Sequence, residues 1–232
     1  MTKEKLQLPH EILNLNLIES SLVEVQDHWP EIDDELDRLG IGRKDIPFDP
    51  VLRERMVIAY SYLNQLIING IKPFSRESLS HMLELNNLVL YGADQQLRDE
   101  YKKALKVTEK KFNQQIGVVR DWYHKHDKRG DSPTKLAAEV YVGILGAPQV
   151  FIEGNHRAGC LIASWINLAS NLPPFVLSLD NAIAYFAPSA EIKNFTDKTT
   201  WRGRRKLPKY RKSFKIFWEQ HTNNKYLTNQ SS

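Results

Sequence analysis

Apolar residues recur along this chain mostly at helical spacing. The clearest stretch begins at Asp49-Pro50 and runs to about Gly70, with Leu52, Met56, Ala59, Leu63 and Leu66 on one face. Asp49 is an N-cap type and Pro50 suits the first helical position. A second helix opens at Ser75 and reaches Leu90, where Tyr91-Gly92-Ala93-Asp94 breaks it. Residues 11–25 alternate loosely and read as a helix. Residues 30–40 start with Pro30 and acids and end in Gly40, the pattern of a capped, acidic helix. A linker comes next, to Pro47-Phe48. Ile116, Val119 and Trp122 share a face of a helix over 114–126, and Ser132-Pro133 starts another that Pro148 ends. Leu161-Ile162-Ala163-Ser164-Trp165-Ile166 continues the helical period. Asn181 to Ala187 reads as a short helix, and Phe214, Phe217 and Trp218 as core residues of a last element. Gln95 to Ala104 fits helix or loop. Leu105 to Phe112 alternates and fits one strand of a short hairpin as well as it fits helix. From about Thr222 the sequence reads as disordered.

The pattern therefore predicts a mainly helical fold. A length of 232 residues suffices for one large domain, and 41% hydrophobic with 26% charged residues is ordinary for a globular protein. No apolar run approaches membrane-spanning length and no apolar stretch follows Met1 to Lys5, so a cytoplasmic location with no membrane partner is expected. The single cysteine, Cys160, excludes an internal disulfide. Net charge is +4 but unevenly placed: from Trp201 to Lys212 seven of the twelve residues are basic and none is acidic. The run from Arg202 to Lys212 is a candidate nucleic-acid surface, or a solvated face that serves solubility. The acids of residues 31–37 lack the spacing of a calcium loop and read as a solvated face. His124 and His126 are two residues apart, so they do not face each other on a helix and read as surface residues.

Candidate chemistry concentrates at Phe151-Ile152-Glu153-Gly154-Asn155-His156-Arg157-Ala158-Gly159. The segment joins two apolar runs and reads as a tight turn opening into a helix. A helix N-terminus offers unpaired N–H groups and partial positive charge. Gly154 has no side chain to obstruct an anion, Asn155, His156 and Arg157 add donors, and Glu153 is a ligand type for a divalent cation. The same residues also suit an ordinary helix start, in which Glu153 favours the dipole, Gly154 turns and Asn155 caps.

This stretch resembles the signature of the Fic family, of the wider Fido fold, which reads His-x-Phe-x-Asp/Glu-Gly-Asn-Gly/Lys-Arg, often followed by x-x-Arg. Phe151, Glu153, Gly154, Asn155 and Arg157 fall in register. Residues 136–145 are similar to the family's preceding helix, and Leu172-Pro173-Pro174-Phe175 and Ala184-Tyr185-Phe186 to its later loop and next helix. The resemblance covers roughly residues 50–195. It departs at three positions: Gln149 stands where the family has its catalytic His, His156 at the Gly/Lys position and Cys160 at the second Arg.

The resemblance implies a Fic/Fido-like helical domain with a short β-hairpin flap at residues 105–112. It divides the chain into an N-terminal helical extension (1–48), a core (49–195) and a basic C-terminal segment (196–232). It implies transfer of a nucleotide- or phosphate-containing group, with ATP as the donor expected, to a hydroxyl on a protein target. Mg2+ would sit at Glu153, and phosphate at Gly154, Asn155, His156 and Arg157. Gln149 cannot act as a general base, and losing one costs about a hundred- to ten-thousandfold. His156 is then a substitute base, a phosphate ligand or a packing residue. Ser20-Ser21-Leu22-Val23-Glu24 resembles the family's inhibitory motif, which makes Glu24 a regulatory candidate, although the Arg it would pair with is replaced by Cys160. The alternative reading is a non-catalytic nucleotide- or phosphate-binding module. Oligomeric state is not legible.

Overall fold

The computed structural model describes residues 11–41, 47–195, 197 and 199–229. Its centre is a pair of helices, α7 (Pro133–Leu145) and α8 (Asn155–Leu168). Every residue of α7 from Leu136 onward is buried, as is every residue of α8 from Ala158 onward. Helices apolar on all sides belong inside a fold. Gly159 lets them approach closely, since a Cβ there would lie 3.3 Å from the Tyr141 ring and 3.4 Å from Ile144.

Other helices enclose this pair. α3 (Pro50–Ile68) and α4 (Ser78–Tyr91) pack together and against α8. α6 (Lys102–Asp127) and α10 (Trp201–His221) flank α7, and the short α5 (Gln95–Glu100) leads into α6. α1 (Leu15–Asp27) lies on α3, and α2 (Trp29–Arg38) against α9 (Ala182–Phe195). Several helix starts obey the sequence logic. Asp49 accepts from the Leu52 N–H at 2.7 Å, Asn14 from Leu17 and Ser132 from Lys135. Residues of the N-terminal extension, the central region and the basic segment all enter one hydrophobic core.

The expectation of a mainly helical fold with a small β component stands, but the β component is not where it was expected. Residues 105–112 belong to α6. The stripe Leu105, Thr108, Phe112, Ile116 and Val119 recurs every three or four residues, and its last four members are buried. Read over eight residues the period looks like two; over the whole helix it is 3.6. The strands are instead β1 (Glu11–Leu13) and β2 (Leu227–Asn229), paired antiparallel with Ile12 opposite Thr228. The start of the 11–25 segment is thus strand before α1 begins. The tail expected to be disordered is ordered as far as Asn229, through a 3-10 turn (Asn224–Tyr226) whose Tyr226 is buried. Residues 230–232 lie outside the described residues, as does most of the 40–48 linker (42–46). α9 is longer than the 181–187 helix expected and carries Pro188 inside it.

Candidate functional site

The Gln149–Arg157 loop enters the first turn of α8 through Gly154, whose φ of +73° favours glycine. The missing side chain makes room for α4. A Cβ at Gly154 would come within 2.8 Å of Asn86 Nδ2, and that amide donates to the Glu153 carbonyl at 2.9 Å. The opening expected to admit an anion is therefore filled by a neighbouring helix on this side.

Asn155 is buried and serves the loop itself. Its Oδ1 accepts from the Phe151 N–H at 2.9 Å, and its Nδ2 donates to the Phe151 carbonyl at 3.0 Å and to Gln149 Oε1 at 3.4 Å. The Phe151 carbonyl also accepts from Lys111 Nζ at 2.9 Å, and the Phe112 and Phe151 rings stack with centroids 5.3 Å apart. α6 thus clamps the loop at the place where the flap was expected.

Arg157 donates from Nη1 to the Val89 carbonyl at 2.6 Å, in the last turn of α4. This satisfies a carbonyl that a helix C-terminus leaves unpaired and places a cation at the negative end of the dipole. Glu153 is exposed and lies near Tyr91, at the same end of α4. The Tyr91 hydroxyl is raised above its ordinary pKa, mainly by burial and secondarily by the neighbouring Tyr101 and Glu153.

His156 faces inward. Its Nδ1 lies 3.3 Å from the Tyr141 hydroxyl, which meets Ser189 Oγ at 2.8 Å, and Ser189 Oγ donates to the Tyr185 carbonyl. The Tyr185 hydroxyl donates to the His156 carbonyl at 3.0 Å. Periodicity gave no sign of this Tyr141–Ser189–Tyr185 frame, because it joins α7 to α9, which are far apart in sequence.

His156, Arg157 and Cys160 line a cavity that opens to solvent. Leu52, Met56 and Tyr60 of α3 form one wall, and Phe175, Leu177, Tyr185 and Phe186 another. The N-terminal extension closes it with Leu22, Trp29 and Phe48. Burial pushes the Cys160 thiol and the Tyr60 hydroxyl well above their ordinary pKa values, so both stay neutral at physiological pH. The walls are therefore apolar and uncharged, with His156 and Arg157 at the head of α8 completing the lining.

Glu24 does not join this site. α1 contributes Leu22 to the cavity, while the Glu24 side chain is exposed. Among the described residues no three His, Cys, Asp or Glu side chains converge as a metal site. Glu153, expected to hold Mg2+, is one solvent-exposed carboxylate outside the cavity lining. A single carboxylate supplies one ligand, so a magnesium ion there would take the rest from phosphate oxygens and water. Among the described residues no helix is long and apolar enough to cross a membrane.

No family model matches the sequence, and no curated protein matches it. The structure is similar to the crystal structure of a Fic domain containing signaling protein from Bacteroides thetaiotaomicron VPI-5482. The TM-score is 0.49 at 13% identity, over 90% of each chain. A likeness of that grade assigns neither a family nor an activity.

Proposed function

We propose that this protein is a non-catalytic nucleotide-binding module, with the base in the apolar cavity and the phosphates at the head of α8. The observation that carries the reading is the cavity itself, where an aromatic and aliphatic enclosure meets His156 and Arg157 at a helix N-terminus. A nucleotide has a flat, weakly polar base and a charged tail, and it matches both parts. Three features favour binding without transfer. Gln149 is held by Asn155 and has no proton-accepting group of useful basicity. His156 Nδ1 is engaged with a neutral phenol. Glu153 stands apart from the cavity.

Calorimetric titration with ATP, GTP and UTP, with and without Mg2+, tests this. Saturable binding of at least one nucleotide is expected, weakened tenfold or more by Met56→Trp, which fills the cavity from α3. No heat with any nucleotide at millimolar concentration would reject the reading. Transfer of label from a radioactive nucleotide to protein, abolished by Glu153→Ala, would instead favour the transferase alternative. Gln149→His is expected to leave transfer absent, because Glu153 and Arg157 remain where they are.

A further inference from the structure

We infer that the exposed face of α10 binds single-stranded nucleic acid, independently of the nucleotide cavity. The helix is amphipathic in an unequal way. Its apolar side, Gly203, Leu207, Tyr210, Phe214, Phe217 and Trp218, is buried against the core. On the opposite side the exposed Arg202, Arg205, Lys209 and Lys212 fall within roughly 80° of arc and about 15 Å of helix length. No acid occurs in the helix before Glu219. Among the described residues the acids that approach it do so elsewhere: Glu139 pairs with Arg211 at 3.4 Å on the inner flank, Glu191 meets Tyr210, and Asp197 lies against the N-terminus. Arg211 is held there by the Trp122 ring as well, 5.4 Å from its centroid. The outward arc therefore keeps its positive charge.

The chemistry selects among polyanions. A membrane-surface helix needs its apolar side free to enter the lipid, and here that side is core. An acidic protein would also satisfy the cations; what favours nucleic acid is Trp201 with its stacked arginine, at the edge of the same arc and 68% exposed. The Arg205 guanidinium lies over its ring, 5.2 Å from the centroid. An exposed indole with a stacked guanidinium amid cations is a platform for unpaired bases, since every base offers a π face. Bases inside a duplex are not available to it. RNA and DNA strands share this chemistry.

Fluorescence anisotropy with a labelled mixed-sequence 15-mer, as RNA and as DNA, tests the proposal on the full chain. Binding of either strand meets it. Four phosphate contacts predict a log affinity against log salt slope near about −3. The quadruple variant R202E/R205E/K209E/K212E should lose at least about a hundredfold at low salt. All four side chains are exposed, so its Tm should be close to wild type; should it not fold, the pair K209E/K212E should still lose about tenfold. Trp201→Ala should lose roughly five- to a hundredfold for the single strand and less than twofold for heparin, with rescue by Trp201→Phe. Duplex or heparin binding as tight as the single strand, indifference to Trp201, or stronger binding to phosphatidylserine vesicles would each overturn it. Neither Met56→Trp nor ATP should change the affinity, which separates this surface from the cavity.

Discussion

At the scale of single residues, the turn at the head of α8 also helps to hold the protein together. Gly154 sits at left-handed φ with α4 pressed against it. Gly154→Ala should cost about 1–2 kcal/mol from the backbone alone, with the displacement of Asn86 added. In a double-mutant cycle Asn86→Ala should relieve part of that loss, and strict additivity in urea denaturation would show that the two do not touch. Two carboxylates, Asp131 just before α7 and Glu139 in its middle, should titrate with opposite sign. Burial pushes Glu139 above its ordinary value, with Arg211 only partly opposing. Its contribution to stability is therefore fullest below the unfolded glutamate pKa and is lost as pH rises through the raised folded value. Hydrogen bonds from Lys135 and His126 hold Asp131 below its ordinary value. Its contribution is present above the unfolded aspartate pKa and is lost as pH falls through the depressed one. Denaturant melts of wild type, Glu139→Gln and Asp131→Asn between about pH 3 and 7 should show the Gln variant gaining on wild type as pH rises. The Asn variant should fall behind over the same range. Slopes of the same sign would rule this account out.

At the scale of elements, what the chain disclosed depended on whether the signal was local. Helix starts with their own caps, such as Asp49-Pro50 and Ser132-Pro133, were legible because the stabilising contact lies within one turn. The loop-to-helix turn at Gly154 was legible for the same reason, and so was the inward packing of Phe214, Phe217 and Trp218. What fills the space around Gly154 was not, since Asn86 and Leu90 come from α4, distant in sequence, and no periodicity points to them. The 105–112 segment failed differently, because eight residues are too few to separate the two periods when five of them, Lys106, Thr108, Glu109, Lys110 and Lys111, are polar. The helix makes a direct prediction. Lys110 is exposed in the interior of α6, so Lys110→Pro changes little except the backbone. It should cost about 3 kcal/mol or more in a helix. A loss below about 0.5 kcal/mol would mean that this segment is not helical. Phe112→Ala should cost about 3–5 kcal/mol, because Phe112 is buried against Phe151 and carries the contact between α6 and the loop.

At the scale of the whole molecule, the two ends of the described chain meet, and the cavity depends on that meeting. The Asn14 N–H donates to the Tyr226 carbonyl at 2.8 Å beside the β1–β2 pair. Ser21 Oγ lies 3.0 Å from the Tyr226 hydroxyl and 3.0 Å from the Leu177 carbonyl. Leu22, the next residue of α1, and Leu177 both line the cavity. The C-terminal turn therefore braces a cavity wall built from the opposite end of the sequence. Truncation after Thr222 removes β2 and the buried Tyr226 and leaves the β1 ladder unpaired. The lost burial alone is worth about 2 kcal/mol or more, which for a chain of this size lowers Tm by roughly 4–8 °C. Because the brace acts on α1, amide exchange in residues 15–27 should quicken more than in α7, and nucleotide affinity should fall with it. Tyr226→Phe keeps the ring and removes only the hydroxyl, so it should cost about 0.5–1.5 kcal/mol and leave β2 in place. If the truncated chain keeps both its Tm and the protection of α1, the ends are decoration and the cavity stands without them.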